Sequence, residues 1–96
     1  MKTIKTKTVL VDFKGNPLKN GENDLTIGDV VSTVLGGKVS NPALGWQLGK
    51  KFATEEEVDL KAEEVVFIKK ELEDNSKQGG FFAVTVGQII ELLESK

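Results

Sequence analysis

Four residue types are missing from this chain of 96 residues: histidine, cysteine, tyrosine and arginine. Without cysteine, neither a disulfide nor a thiolate metal site can form. Without histidine, the commonest general base of nucleophilic catalysis is absent, and no Ser-x-x-Lys spacing offers lysine as a substitute. We therefore expect a protein that is not an enzyme, with no catalytic residue, no metal and no cofactor.

The lack of arginine also bears on which partners the chain can recognise. All 13 basic residues are lysine, and they face 15 acidic residues, for a net charge of −2. Lysine is a point charge, whereas arginine carries the planar fork that grips phosphates and base edges in two places. Nucleic acid is therefore a disfavoured partner, and the near-balanced charge predicts no attraction to an anionic membrane.

Long apolar runs are missing as well. No stretch approaches the roughly 20 apolar residues that a membrane-spanning helix needs. The lysine-rich first eight residues lack the apolar segment and cleavage site of a signal peptide, so we expect a cytoplasmic protein. With 39% apolar and 29% charged residues, the composition is typical of one globular domain spanning 1–96.

The first third of the chain predicts a strand and a hairpin. Residues 4–13 are rich in β-favouring side chains, and apolar and polar residues alternate at its start. A turn signal follows, and we expect a β-hairpin that turns at Gly15 and Asn16. Pro17 has no N–H to donate, so its strand should lie at an edge.

The middle of the chain predicts two helices. Residues 26–35 carry apolar side chains at the spacing of one helical face, and Gly36 and Gly37 should end that helix in the left-handed region. Asn41 and Pro42 then have the residue types of an N-cap and a first helical position. The expected apolar stripe of this second helix consists of Leu44, Leu48 and Phe52, with Trp46 projecting away from it.

Residues 57–60 alternate between acidic and apolar side chains, which favours a short strand. The alternative is a continuous helix from Thr54, because Thr54 and Glu57 have the spacing of a capping box. We prefer the strand.

The last third predicts two more helices separated by a loop. The first covers residues 61–74, with Ala62, Val65, Ile68 and Leu72 facing inward. Residues 75–80 are polar and glycine-rich and should form a surface loop, and residues 85–95 form the last helix. The fold class we predict is α+β: a small β-hairpin or three-stranded sheet packed against about four short helices.

Two helix starts in the chain match each other in residue type. They are Leu-Thr-Ile-Gly-Asp-Val-Val at 25–31 and Val-Thr-Val-Gly-Gln-Ile-Ile at 84–90. In each, threonine should accept a hydrogen bond as N-cap, while Asp29 or Gln88 bonds back to it. Two anion sites at the helix N-termini are the alternative, but no phosphate-binding lysine loop accompanies them. We favour two capped helices.

The candidate interface residues are Phe81, Phe82 and Trp46. Two adjacent phenylalanines after a glycine pair cannot easily face the same way. If either is exposed, it could anchor a protein contact, and the alternative is that both are buried. Trp46 has the same ambiguity, because it is either the largest core residue or a half-exposed contact.

The order of the motifs resembles a loosely defined group of short proteins encoded in tailed phages and prophages. The shared features are an acidic turn at 12–17, a Leu-Thr-x-Gly helix start at 25–28, acidic segments at 58–64, Ile-Lys-Lys at 68–70 and Val-Gly-Gln at 86–88. The middle segment departs from the group, which often has a more charged helix where this chain has Gly45 and Trp46. The resemblance implies a phage or prophage origin and no particular biochemical role.

The leading hypothesis for function is a phage-type accessory protein that works in the host cytoplasm through protein–protein contact. The contact would be self-association or docking on a host or phage protein, and inhibition of a host protein is one form of it. One alternative is a nucleic-acid-binding accessory protein that uses the basic strand of Lys2, Lys5 and Lys7, although alternating lysines also protect an ordinary sheet edge. The other alternative is a virion or assembly component.

Overall fold

Two antiparallel strand pairs and four helices make up residues 2–95, the part of the chain that the computed structural model describes. In chain order the elements are β1 (Lys2–Lys5), β2 (Lys19–Asn20), β3 (Asn23–Asp24), α1 (Ile27–Leu35), α2 (Pro42–Thr54), β4 (Glu57–Leu60), α3 (Ala62–Lys77) and α4 (Ala83–Glu94). This is the α+β class that the sequence predicts. The strands form two separate two-stranded sheets, β1 with β4 and β2 with β3.

Strand β4 confirms the prediction for residues 57–60 over the alternative of a continuous helix. It runs antiparallel to β1, with Lys2 opposite Leu60 and Lys5 opposite Glu57. Its alternating pattern buries Val58 and Leu60 on the face that carries Ile4 of β1. The alternation therefore places one apolar face of this small sheet against the helices.

The predicted strand over residues 4–13 is wrong in extent, because β1 ends at Lys5. The chain turns at Thr6, whose side chain is buried and donates a hydrogen bond from Oγ1 to the carbonyl of Glu55 (2.5 Å). Its backbone N–H also donates to the carbonyl of Glu56 (2.9 Å). The N–H of Thr8 then donates to the carbonyl of Lys5 (3.2 Å), which closes a turn where local propensity would continue the strand.

Residues 7–18 form only single antiparallel bridges, and the predicted turn at Gly15 is confirmed. Val11 is bridged to Pro17. The Asp12 carboxylate accepts hydrogen bonds from the backbone N–H groups of Lys14 (2.9 Å) and Asn16 (3.0 Å). The Asn16 N–H contributes most to holding the pKa of Asp12 below its ordinary value. Gly15 takes a φ of +88°, which a side chain would disfavour.

Helix α1 begins as the sequence predicts. Thr26 Oγ1 accepts from the N–H of Asp29 (3.2 Å), and the Asp29 carboxylate accepts from the N–H of Thr26 (3.2 Å). The helix ends at Leu35, but the predicted left-handed cap is wrong, because Gly36 has a φ of −81°. Glycine at this position is therefore not required by backbone conformation.

Helix α2 confirms the predicted start. The side chain of Asn41 accepts from the N–H of Leu44 (3.1 Å), and Pro42 occupies the first helical position. Leu48 and Phe52 are buried, and Leu44 is half-buried against the core. The inward stripe of the helix is the predicted one.

Helix α3 is longer than predicted and takes up the first half of the expected loop. It runs to Lys77, so residues 75–77 are helical. The Asn75 side chain accepts from the N–H of Phe81 (2.9 Å), which ties the following segment to the end of the helix. Ile68 and Leu72 face inward as predicted, whereas Ala62 is exposed.

Helix α4 starts two residues earlier than predicted. As a result, Thr85 of the matched segment 84–90 is not the N-cap of the helix. Phe82 is the N-cap, so Thr85 lies inside the first turn, where it is buried. The Gln88 side chain instead bonds the distant backbone of Val11: Oε1 accepts from its N–H (3.1 Å), and Nε2 donates to its carbonyl (2.8 Å). Nε2 also donates to the carbonyl of Val84 (2.7 Å). Similar sequences thus serve different purposes in α1 and α4.

All four helices and the β1–β4 sheet enclose one core of sixteen buried apolar side chains. These are Ile4, Leu10, Ile27, Val30, Val31, Val34, Leu35, Leu48, Phe52, Val58, Leu60, Ile68, Leu72, Val86, Ile89 and Leu93.

The start of α1 lies directly against two other backbone segments. The N–H of Gly28 donates to the carbonyl of Thr6 (2.8 Å). A Cβ atom placed on Gly28 would be 2.6 Å from the carbonyl oxygen of Phe52 and 3.1 Å from that of Thr6. Both distances are too short for an ordinary contact, so glycine is required here by space and not by φ.

We predict that Gln88→Ala lowers the free energy of unfolding by about 1–2 kcal/mol, because it removes the bonds that hold the backbone of Val11. Urea denaturation measures the loss, and amide exchange at Val11 should accelerate. Gln47→Ala is the matched control, since Gln47 is exposed on α2. Equal stability of the two variants would contradict the structural role of Gln88.

Candidate functional site: a groove beside Trp46

The three residues predicted as interface candidates differ in exposure. Trp46 is 68% exposed on α2, and Phe82 is 78% exposed at the start of α4. Phe81 is half-buried and packs against the core. The two phenylalanines therefore face different ways, as their adjacency predicts, and the alternative that both are buried is wrong.

The structure does not bring the three candidates together. Trp46 forms one wall of a groove of about 400 Å³ between α1 and α2, and neither Phe81 nor Phe82 lines it. We call this the Trp46 groove. Its lining residues are Ser32, Leu35, Gly36, Gly37, Val39, Pro42, Gly45, Trp46, Gly49, Lys50 and Ala53. The groove is thus mainly apolar and lies on the α1–α2 pair alone.

The groove owes its shape to a close approach of two antiparallel helices. Gly45, near the start of α2, packs against the carbonyl of Leu35 at the end of α1. A Cβ atom on Gly45 would be 3.0 Å from that oxygen and 2.9 Å from Cγ2 of Val39. Gly36, Gly37 and Gly49 also contribute backbone without side chains. The missing side chains leave an open floor beneath the indole of Trp46.

Among residues 2–95, Lys50 supplies the only charged side chain of the lining. It lies one helical turn after Trp46, and its Nζ is 5.0 Å from the centroid of the indole ring, within the range of a cation–π interaction. The ion pairs found among residues 2–95 are Lys7–Glu56, Lys19–Asp24 and Lys69–Glu94. Lys50 takes part in none of them, so its ammonium remains available to an anion.

The chemistry of the groove suits binding. Its lining contains no carboxylate, and the hydroxyl of Ser32 already donates to the carbonyl of Asp29 (3.3 Å). Apolar side chains and a flat indole can receive an apolar group, and Lys50 can receive one negative charge. Between residues 2 and 95, no group of three acidic side chains could hold a metal ion.

Sequence reasoning missed one exposed aromatic residue and most of the groove. Phe13 was assigned to a strand but is 94% exposed at the turn that follows Val11. The turn-forming residues Asp12 and Gly15 on either side indicate that Phe13 is exposed, because a residue inside a tight turn rarely reaches the core. The four-residue spacing of Gly45 and Gly49 permits a close backbone approach, but the spacing alone does not identify which segment approaches.

Two of the three lysines of the basic strand are engaged in the structure. Lys2 Nζ donates to Oγ and the carbonyl oxygen of Ser95, both at 2.7 Å. Lys7 pairs with Glu56 at 3.1 Å, and Lys5 is exposed. The charge of Lys7 is thus paired with a carboxylate, whereas the groups that Lys2 binds on Ser95 are neutral. Among residues 2–95, no helix has both the length and the apolar character to cross a bilayer.

Comparison of the chain with protein-family models, with curated proteins and with solved structures gave no match. Its function is therefore argued from the geometry of the groove and from the exposed aromatic residues.

We predict opposite effects for alanine at the two glycines of α2. Gly49→Ala should raise the free energy of unfolding by up to about 1 kcal/mol, because a Cβ there would make an ordinary 3.6 Å contact with Leu35. Gly45→Ala should lower it by about 1 kcal/mol or more, because the clash with Leu35 and Val39 outweighs the gain in helix propensity. Thermal and urea unfolding measure both, and a shift in the same direction would contradict the packing described.

Proposed function

We propose that this chain is a non-enzymatic accessory protein that acts by binding another protein, with the Trp46 groove as its main contact. The observation that carries the proposal is the position of the only tryptophan. Trp46 is 68% exposed and forms the wall of an apolar groove. Tryptophan contributes more binding energy to protein interfaces than almost any other residue, particularly beside a pocket.

The distribution of the other aromatic residues supports a binding role. The chain has five phenylalanines and one tryptophan. Only Phe52 belongs to the buried core, while Phe13 and Phe82 are exposed together with Trp46. An aromatic side chain contributes much to stability when it is buried, so leaving three in solvent forgoes a large gain in a small domain. Binding a partner would recover part of it.

The resemblance to short phage and prophage proteins supports a phage-type origin for this accessory role. The partner would then be a host protein or another phage protein, encountered in the cytoplasm of the host cell. Inhibition of a host protein is one form that such docking takes, and self-association is another. The nucleic-acid alternative has less support, because the chain has no arginine and the charge of Lys7 is already paired with Glu56.

The test is capture of a partner by the tagged chain from extracts of the organism that encodes it, compared across matched variants. We predict that Trp46→Ser reduces capture of the partner more than tenfold, because hot-spot residues contribute about 2 kcal/mol or more. Val66→Ser is the control, since Val66 is a large exposed apolar residue on α3, outside the groove. Phe82→Ser shows whether a second aromatic residue belongs to the same interface.

Light scattering on the native chain completes the test by separating self-association from a foreign partner. A concentration-dependent mass that Trp46→Ser reduces to that of a monomer would identify the partner as another copy. The proposal is contradicted if Trp46→Ser retains every specific partner at the native level, or if the native chain is a monomer and retains none.

A further inference from the structure

The Trp46 groove combines apolar walls with one positive charge, and this combination restricts what can occupy it. Val39 and Pro42 line the groove together with Trp46 and supply its apolar surface. Lys50 lies at the groove with its Nζ above the same indole. No carboxylate lines the groove, although the chain as a whole is acidic. The local charge therefore differs in sign from the net charge.

Given the proposed function, on which this inference rests, we propose that the groove binds a short acidic segment of the partner protein. In that segment a large apolar side chain would contact Val39, Pro42 and Trp46, and an adjacent carboxylate would bind Nζ of Lys50. The apolar side chain of the segment matches the apolar walls of the groove, and its carboxylate matches the charge of Lys50. A basic segment would bring two positive charges together in a partly desolvated groove, which is unfavourable.

The size of the groove fits a short segment and not a whole domain. A volume of about 400 Å³ can receive one or two large side chains. The lining residues of α2 run from Pro42 to Ala53, which spans about 17 Å at the helical rise of about 1.5 Å per residue. An extended peptide covers that distance in about five residues.

The same features argue against a nucleic acid as occupant. A groove that follows a phosphate backbone needs several cations along its length, and the lining has Lys50 alone. One ammonium beside an apolar floor is better matched by one carboxylate beside one apolar side chain. An oligonucleotide serves as a comparison in the test.

Trp46 provides the readout, because it is the only tryptophan and the chain has no tyrosine. The probes are three capped tetrapeptides titrated against the full chain: Ac-Glu-Leu-Phe-Glu-NH2, its charge-reversed form Ac-Lys-Leu-Phe-Lys-NH2, and Ac-Glu-Ser-Ser-Glu-NH2, which lacks apolar side chains. Trp46 emission follows binding, and backbone amide shifts of Leu35, Val39 and Lys50 locate it. We expect the first probe to bind at least about fivefold more tightly than either of the others.

Two matched lysine variants test whether the positive charge of Lys50 selects an acidic ligand. Lys50→Glu should weaken the acidic apolar probe more than about fivefold and should make the charge-reversed probe the better ligand. Lys51→Glu makes the same change at the next residue, which is exposed and does not line the groove, and it should alter affinity less than about twofold. Circular dichroism on both variants confirms that the fold is retained.

The inference is overturned if no peptide shifts Trp46 emission and the groove amides, if the acidic and charge-reversed probes bind equally, or if the two lysine variants lose equal affinity. The inference is also overturned if an oligothymidylate shifts the groove amides and binds more tightly than the acidic apolar probe. The proposed function fails separately, when Trp46→Ser leaves partner capture unchanged. A lost charge preference together with partner capture that depends on Trp46 would refute only the acidic segment.

Discussion

The antiparallel packing of α1 on α2 depends on two glycines that allow backbone to meet backbone at opposite ends of the helix pair. At one end, Gly28 of α1 lies against the carbonyl of Phe52 in α2. At the other end, Gly45 of α2 lies against the carbonyl of Leu35 in α1. Each helix thus contributes one glycine, and a side chain at either would separate the pair.

This packing also positions the remaining elements. Gly28 bonds to Thr6, the residue at which the chain turns after β1, so the small sheet and the helix pair share one junction. Phe52 reaches the core from the same place, while Trp46 lies on the outer side of α2. The close approach that builds the core therefore also leaves the glycine floor and the exposed indole of the Trp46 groove. Stability and the proposed binding surface have one structural origin.

Sequence reasoning succeeded where the determining interactions were local. The capping residues Thr26 and Asn41 are recognisable because their partners lie three residues away. The same reasoning failed at Gln88, which has the position of a capping residue but bonds to Val11, far away in the chain. A side chain that can cap a helix can equally bond the backbone of a distant segment, and only the tertiary fold selects between them.

The candidate site was predictable only in part for the same reason. The exposure of Trp46 follows from its position off the apolar stripe of α2, which is a local property. The groove beside it requires the end of α1, and no local pattern indicates how closely Gly45 approaches Leu35. Phe81 and Phe82 illustrate the limit, because adjacency predicts that they face different ways, whereas the bond of Asn75 to the N–H of Phe81 accompanies the partial burial of Phe81 and not of Phe82.

The most direct test of this account compares the unfolding free energies of Gly28→Ala and Gly87→Ala. The two glycines occupy the same place in the matched segments, but a Cβ on Gly87 would have no neighbouring atom within 4 Å. We predict that Gly87→Ala raises the unfolding free energy by up to about 1 kcal/mol, whereas Gly28→Ala lowers it by at least about 2 kcal/mol. If Gly28→Ala were as stable as Gly87→Ala, the backbone contact of α1 with α2 could not be what holds the fold together.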